Sequence, residues 1–374
     1  MTSQPDGDNH DFEHQADLVG GSSSLKLDKA KGSVRGSINP AGGAGQPRRR
    51  LEVADYVEGV RRGDRSVLGR AITLIESNSP RHAKTAQQVL AGLMPHTGDS
   101  YRIGITGVPG VGKSTFIEAF GKFLTGTGHR VAVLAVDPSS GISGGSILGD
   151  KTRMAQLSVD PQAFIRPSPA AGTLGGVARK TRETMLVCEA AGFDVVIIET
   201  VGVGQSETEV RRMTDAFVLL MLPGGGDGVQ GIKRGILEWA DVVLMNKADG
   251  PAEQIDLAKS SLAAFQGALS LMQPPLDGDA PLMGLSSGLD KGSVVDWIGR
   301  IEDRLDAASS SGQLMDRRQR QEQAAMEALL DREILHRVKS HPEFQAAWER
   351  LQNDTHRTQN AAYDAIRTLL DGLD

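Results

Sequence analysis

Gly107-Val108-Pro109-Gly110-Val111-Gly112-Lys113-Ser114 decides how this chain is read. A glycine, four residues, then Gly-Lys-Ser is the spacing of a phosphate-binding loop. Backbone N–H groups wrap a β-phosphate there, and side chains at the glycine positions would obstruct it. Lys113 then reaches the β/γ oxygens, and the Ser114 hydroxyl is placed to ligate Mg²⁺. Thr115 completes the stretch expected to hold nucleotide, together with Gly107, Val108, Pro109, Gly110, Val111 and Gly112. The flanks agree. Residues 102–106 read as a short buried strand, and Lys113 to Leu124 carries helical apolar spacing, so the loop enters a helix N-terminus, where an anion is favoured.

A second motif narrows the nucleotide. Asn246-Lys247-Ala248-Asp249 follows the apolar run Asp241 to Met245, which reads as a buried parallel strand. In this N-K-x-D pattern the aspartate accepts hydrogen bonds from the ring N–H and exocyclic amine of guanine. Adenine presents an acceptor where guanine has its ring N–H, which leaves the carboxylate unpaired and repelled. The pattern therefore points to GTP and GDP rather than adenine nucleotides. Ser286-Ser287-Gly288, after the apolar stretch 281–285, sits where a loop closing over the base is expected.

Composition bounds the remaining classes. The chain has 374 residues and a net charge of −6, a balance that implies no general affinity for nucleic acid. Its single cysteine, Cys188, excludes internal disulfides and Cys-rich metal sites, and its neighbours place it as a packed thiol inside a helix. No apolar run approaches the ~20 residues that span a membrane. The expected location is the cytoplasm: residues 1–50 carry Asp6, Asp8, Asp11, Glu13 and Asp17, too acidic for a mitochondrial transit peptide.

Along the chain, residues 1–50 read as an unstructured tail, 51–98 as a helical extension, 99–312 as a phosphate-loop domain and 313–374 as a helical arm. Val53, Tyr56, Val57 and Val60 share a helical face, Asp64 caps a second helix carrying Leu68, Ile72 and Ile75, and a third spans about 80–93. Strands alternating with helices predict an α/β fold with a mainly parallel sheet, with strands at 102–106, 130–136, 162–166, 194–199, 216–222, 241–245 and 281–285. Helices are expected again at 327–338, 342–351 and 360–370.

Acidic groups between the two motifs are the candidates for metal chemistry. Glu199 ends the apolar strand 194–199, at the carboxyl edge where α/β sheets bind ligands. Most phosphate-loop proteins have Asp there. Its role is to hold Mg²⁺ directly or through water, while the Gly202 N–H senses the γ-phosphate. Asp137, after the second strand, reads as a metal ligand or as a helix cap or turn residue; Asp150 carries the same pair of readings. Mg²⁺ takes few carboxylates, so all three need not touch it. Gln205 is either the residue that orients the attacking water or a surface glutamine. The glycine-dense stretch 224–233 reads as a nucleotide-responsive loop in which Gln230 and Lys233 meet phosphate or a partner, or else as a plain flexible connection.

Taken together, Gly107 to Thr115, Val136 to Ser140, Gly144 to Met154, Glu199 to Glu207 and Asn246 to Asp249 resemble the MeaB/ArgK family, GTPases of the SIMIBI class that include the methylmalonic aciduria type A protein. The resemblance covers about residue 51 to the C-terminus, and Glu199 with the Asp150 segment separates it from Ras-like and signal-recognition GTPases. It implies a Mg²⁺-dependent homodimer with a C-terminal dimerisation arm. It also implies a chaperone role toward an adenosylcobalamin-dependent mutase, most often methylmalonyl-CoA mutase, gating cofactor loading and guarding against inactivation. The alternatives are a transport-associated ATPase or kinase, which Asp249 argues against, and a metal-insertion GTPase, which wants Cys/His clusters the chain lacks.

Overall fold

In a computed structural model the structure describes residues 51–137, 154–169, 174–200, 206–224, 239–270 and 280–353, with Tyr363, Ile366, Arg367, Leu370 and Asp371. The tail 1–50 and most of the helix expected at 360–370 lie outside them.

Three helices lead in. α1 (Val53–Arg61) opens with a reciprocal box between Glu52 and Asp55. α2 (Arg65–Glu76) is capped by Asp64, whose carboxylate accepts from Ser66 N at 2.8 Å and Val67 N at 3.1 Å, the cap the sequence announces. α3 (Pro80–Leu93) carries proline in its first turn, where a missing N–H costs nothing.

All seven expected strands form. β1 (Tyr101–Gly107), β2 (Val131–Asp137), β3 (Ala163–Pro169), β4 (Val195–Thr200), β5 (Ala216–Met221), β6 (Val242–Met245) and β7 (Leu282–Leu285) make one sheet in the order β3-β2-β4-β1-β5-β6-β7, every pair parallel. Crossover helices are α4 (Lys113–Gly126), α5 (Ala155–Ser158), α6 (Leu174–Ala190), α7 (Ser206–Arg211) and α8 (Ala252–Ser270), and α9 (Lys291–Ser310) follows the last strand.

The core follows from the period of two along each strand. Ala132, Leu134, Val196, Ile198, Phe217, Leu219 and Val243 face a layer containing α1, α2, α3 and α6. Ile103, Ile105, Val133, Ile197, Val218, Leu220 and Leu244 face the other layer, with Phe116, Phe120 and Ile117 of α4 and Trp297, Ile298 and Ile301 of α9. A sheet covered on both faces needs strands that are apolar throughout, which is why these strands read as continuous runs. Cys188 is fully buried in α6, and burial pushes its thiol far above the usual value, consistent with a packed rather than a reactive cysteine.

The C-terminal region departs from the expectation in one respect. Where a helix over 327–338 is expected, α10 runs unbroken from Gln313 to Ser340, 28 residues, followed by α11 (Pro342–Asn353). Its first half escapes an apolar-periodicity reading because it docks through polar side chains. Leu314, Arg317, Arg318 and Gln321 fall on one helical face, and only Leu314 is apolar. The second half leaves Met326, Leu330 and Ile334, spaced four apart, between half and three-fifths exposed.

Candidate functional site

The phosphate-loop sequence lies between β1 and α4, at the carboxyl edge of the sheet, with β4 on one side of β1 and β5 on the other. Three glycines give the loop its path. Gly107 (φ 151°), Gly110 (φ 78°) and Gly112 (φ 97°) occupy conformations that side chains disfavour. A Cβ at Gly107 would lie 2.4 Å from the backbone O of Leu220, and one at Gly112 would lie 2.9 Å from Nδ2 of Asn246. Pro109 and Gly110 are exposed at the rim, and Val111 is buried below them. Successive left-handed turns before a helix make a nest of N–H groups that suits an anion.

Lys113 is buried, contrary to the picture of a surface-facing lysine. Its Nζ donates to Gly107 O at 2.8 Å and Val108 O at 3.3 Å, so the ammonium curls over its own loop. Ser114 Oγ donates to Glu199 Oε1 at 3.3 Å. Glu199 is paired in register with Ile105 of β1 and Ala135 of β2, and is 4 % exposed, so the strand ladder on both sides fixes where its carboxylate emerges. Asp137 closes β2 one position beyond Val136, the partner of Thr200, at the same sheet edge. Beneath the loop the buried hydroxyls of Thr106 and Thr200 meet at 2.7 Å and tie β1 to β4. The Ser114 hydroxyl and the Glu199 carboxylate at one edge are an oxygen donor pair, which fits Mg²⁺.

The second motif stands beside the first. Asn246, at the end of β6, is buried and donates from Nδ2 to Val111 O at 2.8 Å. Lys247 is the one non-glycine with positive φ among the described residues (φ 62°), and its carbonyl accepts from Gln254 Nε2 at 3.1 Å. Asp249 is exposed. Ala248 N donates to Ser286 O at 3.0 Å and Ser286 N to Met245 O at 2.8 Å, so the two loops are stitched through their backbones. Ser287 Oγ accepts from Leu289 N and Asp290 N, shaping the turn into α9. Gly288 approaches so closely that a Cβ there would lie 3.0 Å from Phe116 N.

Gly107 to Thr115, Glu199, Asn246, Lys247, Asp249 and Ser286 to Gly288 therefore come together, with the Asp137 backbone at the same edge. Asp150, Gly202, Gln205, Gln230 and Lys233 lie outside the described residues. Sequence reading missed the Thr106–Thr200 pair and the Asn246–Val111 bond. A threonine inside a buried strand was a signal for the first, whereas the second joins residues 135 apart and left none.

A doubly covered parallel sheet with this loop after β1, a carboxylate ending β4 and N-K-x-D after β6 defines a P-loop GTPase. The chain belongs to the family described as methylmalonyl Co-A mutase-associated GTPase MeaB, which it matches over residues 68–343. It is 45 % identical over 293 residues to the GTPase ArgK of Escherichia coli (78 % of this chain, 88 % of that one). It is 44 % identical over 294 residues to the mouse protein named methylmalonic aciduria type A homolog, mitochondrial (76 % of this chain, 70 % of that one). A crystal structure of a protein named LAO/AO transport system kinase superposes with a TM-score of 0.68 at 35 % identity, covering 85 % of this chain and 96 % of that one.

Proposed function

We propose that the chain binds GTP with Mg²⁺ at this edge of the sheet, hydrolyses it to GDP and phosphate, and uses the cycle to chaperone an adenosylcobalamin-dependent mutase. The observation that carries the nucleotide reading is the direct bond from Asn246 to Val111, which sets the base-reading motif against the phosphate loop. The mutase comes from the family's name, methylmalonyl Co-A mutase-associated GTPase.

In this reading the N–H groups of 107–115 hold the β-phosphate, and Lys113 exchanges its loop carbonyls for β/γ oxygens. Ser114 and Glu199 would hold Mg²⁺, with Asp137 and Asp150 as further candidates, and the bound ion would supply positive charge beside the transferred phosphoryl group. Gly202 N–H senses the γ-phosphate and Gln205 orients water for in-line attack, while Gln230 and Lys233 report nucleotide state to a partner. Asp249 reads guanine, and Ser286 to Gly288 close over it. The kinase name of the structural relative suggests an adenine nucleotide, and Asp249 argues against it here.

The exposed apolar stripe of α10, with Trp348 of α11 stacked on Phe344 at 6.0 Å, supports a homodimer formed by the arm 313–374. The tail 1–50, the helices 51–98 and the body 99–312 complete the proposed division, and the proposed location is the cytoplasm. Among the described residues no helix is long and apolar enough to cross a membrane. GTP turnover measured with and without a cobalamin mutase tests the chaperone reading. Faster hydrolysis or altered nucleotide affinity is expected, and no response to any candidate mutase removes that client. Light scattering of the full-length chain carrying Leu330→Glu and Ile334→Glu tests the arm, since a dimer as tight as the native one rules it out.

A further inference from the structure

Among the described residues Lys247 alone occupies the left-handed region, at φ 62°, without being glycine. A lysine does not favour that conformation by itself, so the contacts around it must hold it there. On one side the chain is fixed from the core. Asn246 N donates to Met221 O at 2.8 Å, Asn246 Nδ2 to Val111 O at 2.8 Å, and Ala248 N to Ser286 O at 3.0 Å. On the other side stands the start of α8. Gln254, the third residue of that helix, donates from Nε2 to Lys247 O at 3.1 Å. Its own N–H donates to Pro251 O at 2.9 Å, so the side chain leaves a turn already formed.

Gly250 makes room for this reach. A Cβ there would run into the Gln254 amide oxygen and lie 2.6 Å from its Cδ. Asp249 is thereby bracketed: Gln254 bonds the residue two before it and covers the residue after it. Lys247 and Asp249 are both exposed, so burial does little to aim them. A carboxylate that must meet two N–H groups on one base edge needs its backbone set before the base arrives, and a second shell of hydrogen bonds is what sets it.

We propose that Gln254 is a specificity-positioning residue: by holding Lys247 O across Gly250, it fixes the backbone from which Asp249 reads guanine. The inference rests on the guanine reading of Asp249. The base contact is the same in bound GTP and in the transition state, so the effect falls on binding and leaves the chemical step alone.

The test uses Gln254→Met, Gly250→Ala and the double variant in the full-length chain, with GTP turnover, affinities for GDP and inosine diphosphate, and thermal melting. Gln254→Met keeps the length of the side chain and removes its donor. Gly250→Ala displaces the same amide from the other side, and because Gly250 lies outside the left-handed region, alanine fits its backbone. Each single variant is expected to raise KM for GTP and weaken GDP by about two- to tenfold, the worth of one neutral hydrogen bond, with kcat and melting near native. Inosine diphosphate lacks the exocyclic amine and has one contact fewer to lose, so it weakens less and the preference for GDP over it narrows. The double variant is no worse than the worse single one, since both act on one bond. Unchanged GDP affinity in Gln254→Met, equal weakening of the two nucleotides, or losses that multiply in the double variant would each overturn the proposal. Failure of the underlying reading is distinguishable, because Asp249→Asn would then keep native GDP affinity.

Discussion

Asn246 Nδ2 lies 2.8 Å from the carbonyl oxygen of Val111, so a side chain closing the sixth strand holds the middle of the loop that follows the first. The bond is buried, and breaking it strands a carbonyl away from water, a cost of about 1–3 kcal/mol. It also makes the distance between phosphate and base sites a property of the folded protein, present before any ligand arrives.

Lys113→Ala removes the ammonium from Gly107 O and Val108 O, both backbone groups of its own loop. Nucleotide affinity or turnover is expected to be lost while the fold persists, which calorimetric binding and circular dichroism together read out. Intact hydrolysis in this variant would place the site elsewhere.

Glu199→Ala is expected to raise the Mg²⁺ concentration needed for half-maximal hydrolysis more than Asp137→Ala does. Glu199 is held by ladders on both sides and already meets Ser114, and a rigidly held ligand loses least on binding. Magnesium titrations of the two variants give the order, and the reverse order would shift the main metal ligand to the end of β2.

Much of this was legible in the sequence, for local reasons. The strands announce themselves because both faces of the sheet are covered, so Val195 to Ile198 or Val242 to Met245 have no polar side to show. The phosphate loop is legible because its glycines are required by backbone conformation alone. α10 was only half legible. Its docking face is Leu314, Arg317, Arg318 and Gln321, whose partners are Asp215, Asp241 and backbone carbonyls contributed by distant segments. An ionic docking face leaves no hydrophobic period, so within the helical arm the first specific helix is read only from residue 327. The curled Lys113 was illegible for a similar reason, since nothing in the motif specifies what its ammonium does among its own loop carbonyls.

Asp64→Ala removes acceptors for two N–H groups in the first turn of α2, whose Leu68, Ile72 and Ile75 belong to the core. A loss of about 0.5–2 kcal/mol in unfolding free energy is expected from denaturant titration, with GTP turnover unchanged. A loss below the resolution of such titrations would mean that α2 is held by packing alone.

His129 gives a pH signature. Its ring bonds Asp194 at 3.0 Å, and that hydrogen bond, with the charge of Asp194 and of Glu302, holds its pKa above the ordinary value against the opposing pull of burial. A folded-state pKa raised above the unfolded one stabilises fully below about 6.5 and fades as pH rises through the folded value. Glu302 is itself raised, by burial first, with Asp303 and Asp306 adding, and so titrates in the same direction. In a Glu302→Gln background, the stability difference between His129 and His129→Gln should therefore shrink steadily as pH rises above about 6.5. A difference that grows with pH contradicts the assignment.

The central claim is that this edge of the sheet reads guanine through Asp249, and the affinity of Asp249→Asn for nucleotides tests it most directly. Exchanging an acceptor for a donor should weaken GDP binding by more than about tenfold, since one hydrogen bond to guanine is lost and a donor is set against a donor, and move preference toward xanthosine diphosphate. GDP affinity equal to native in Asp249→Asn would contradict the account.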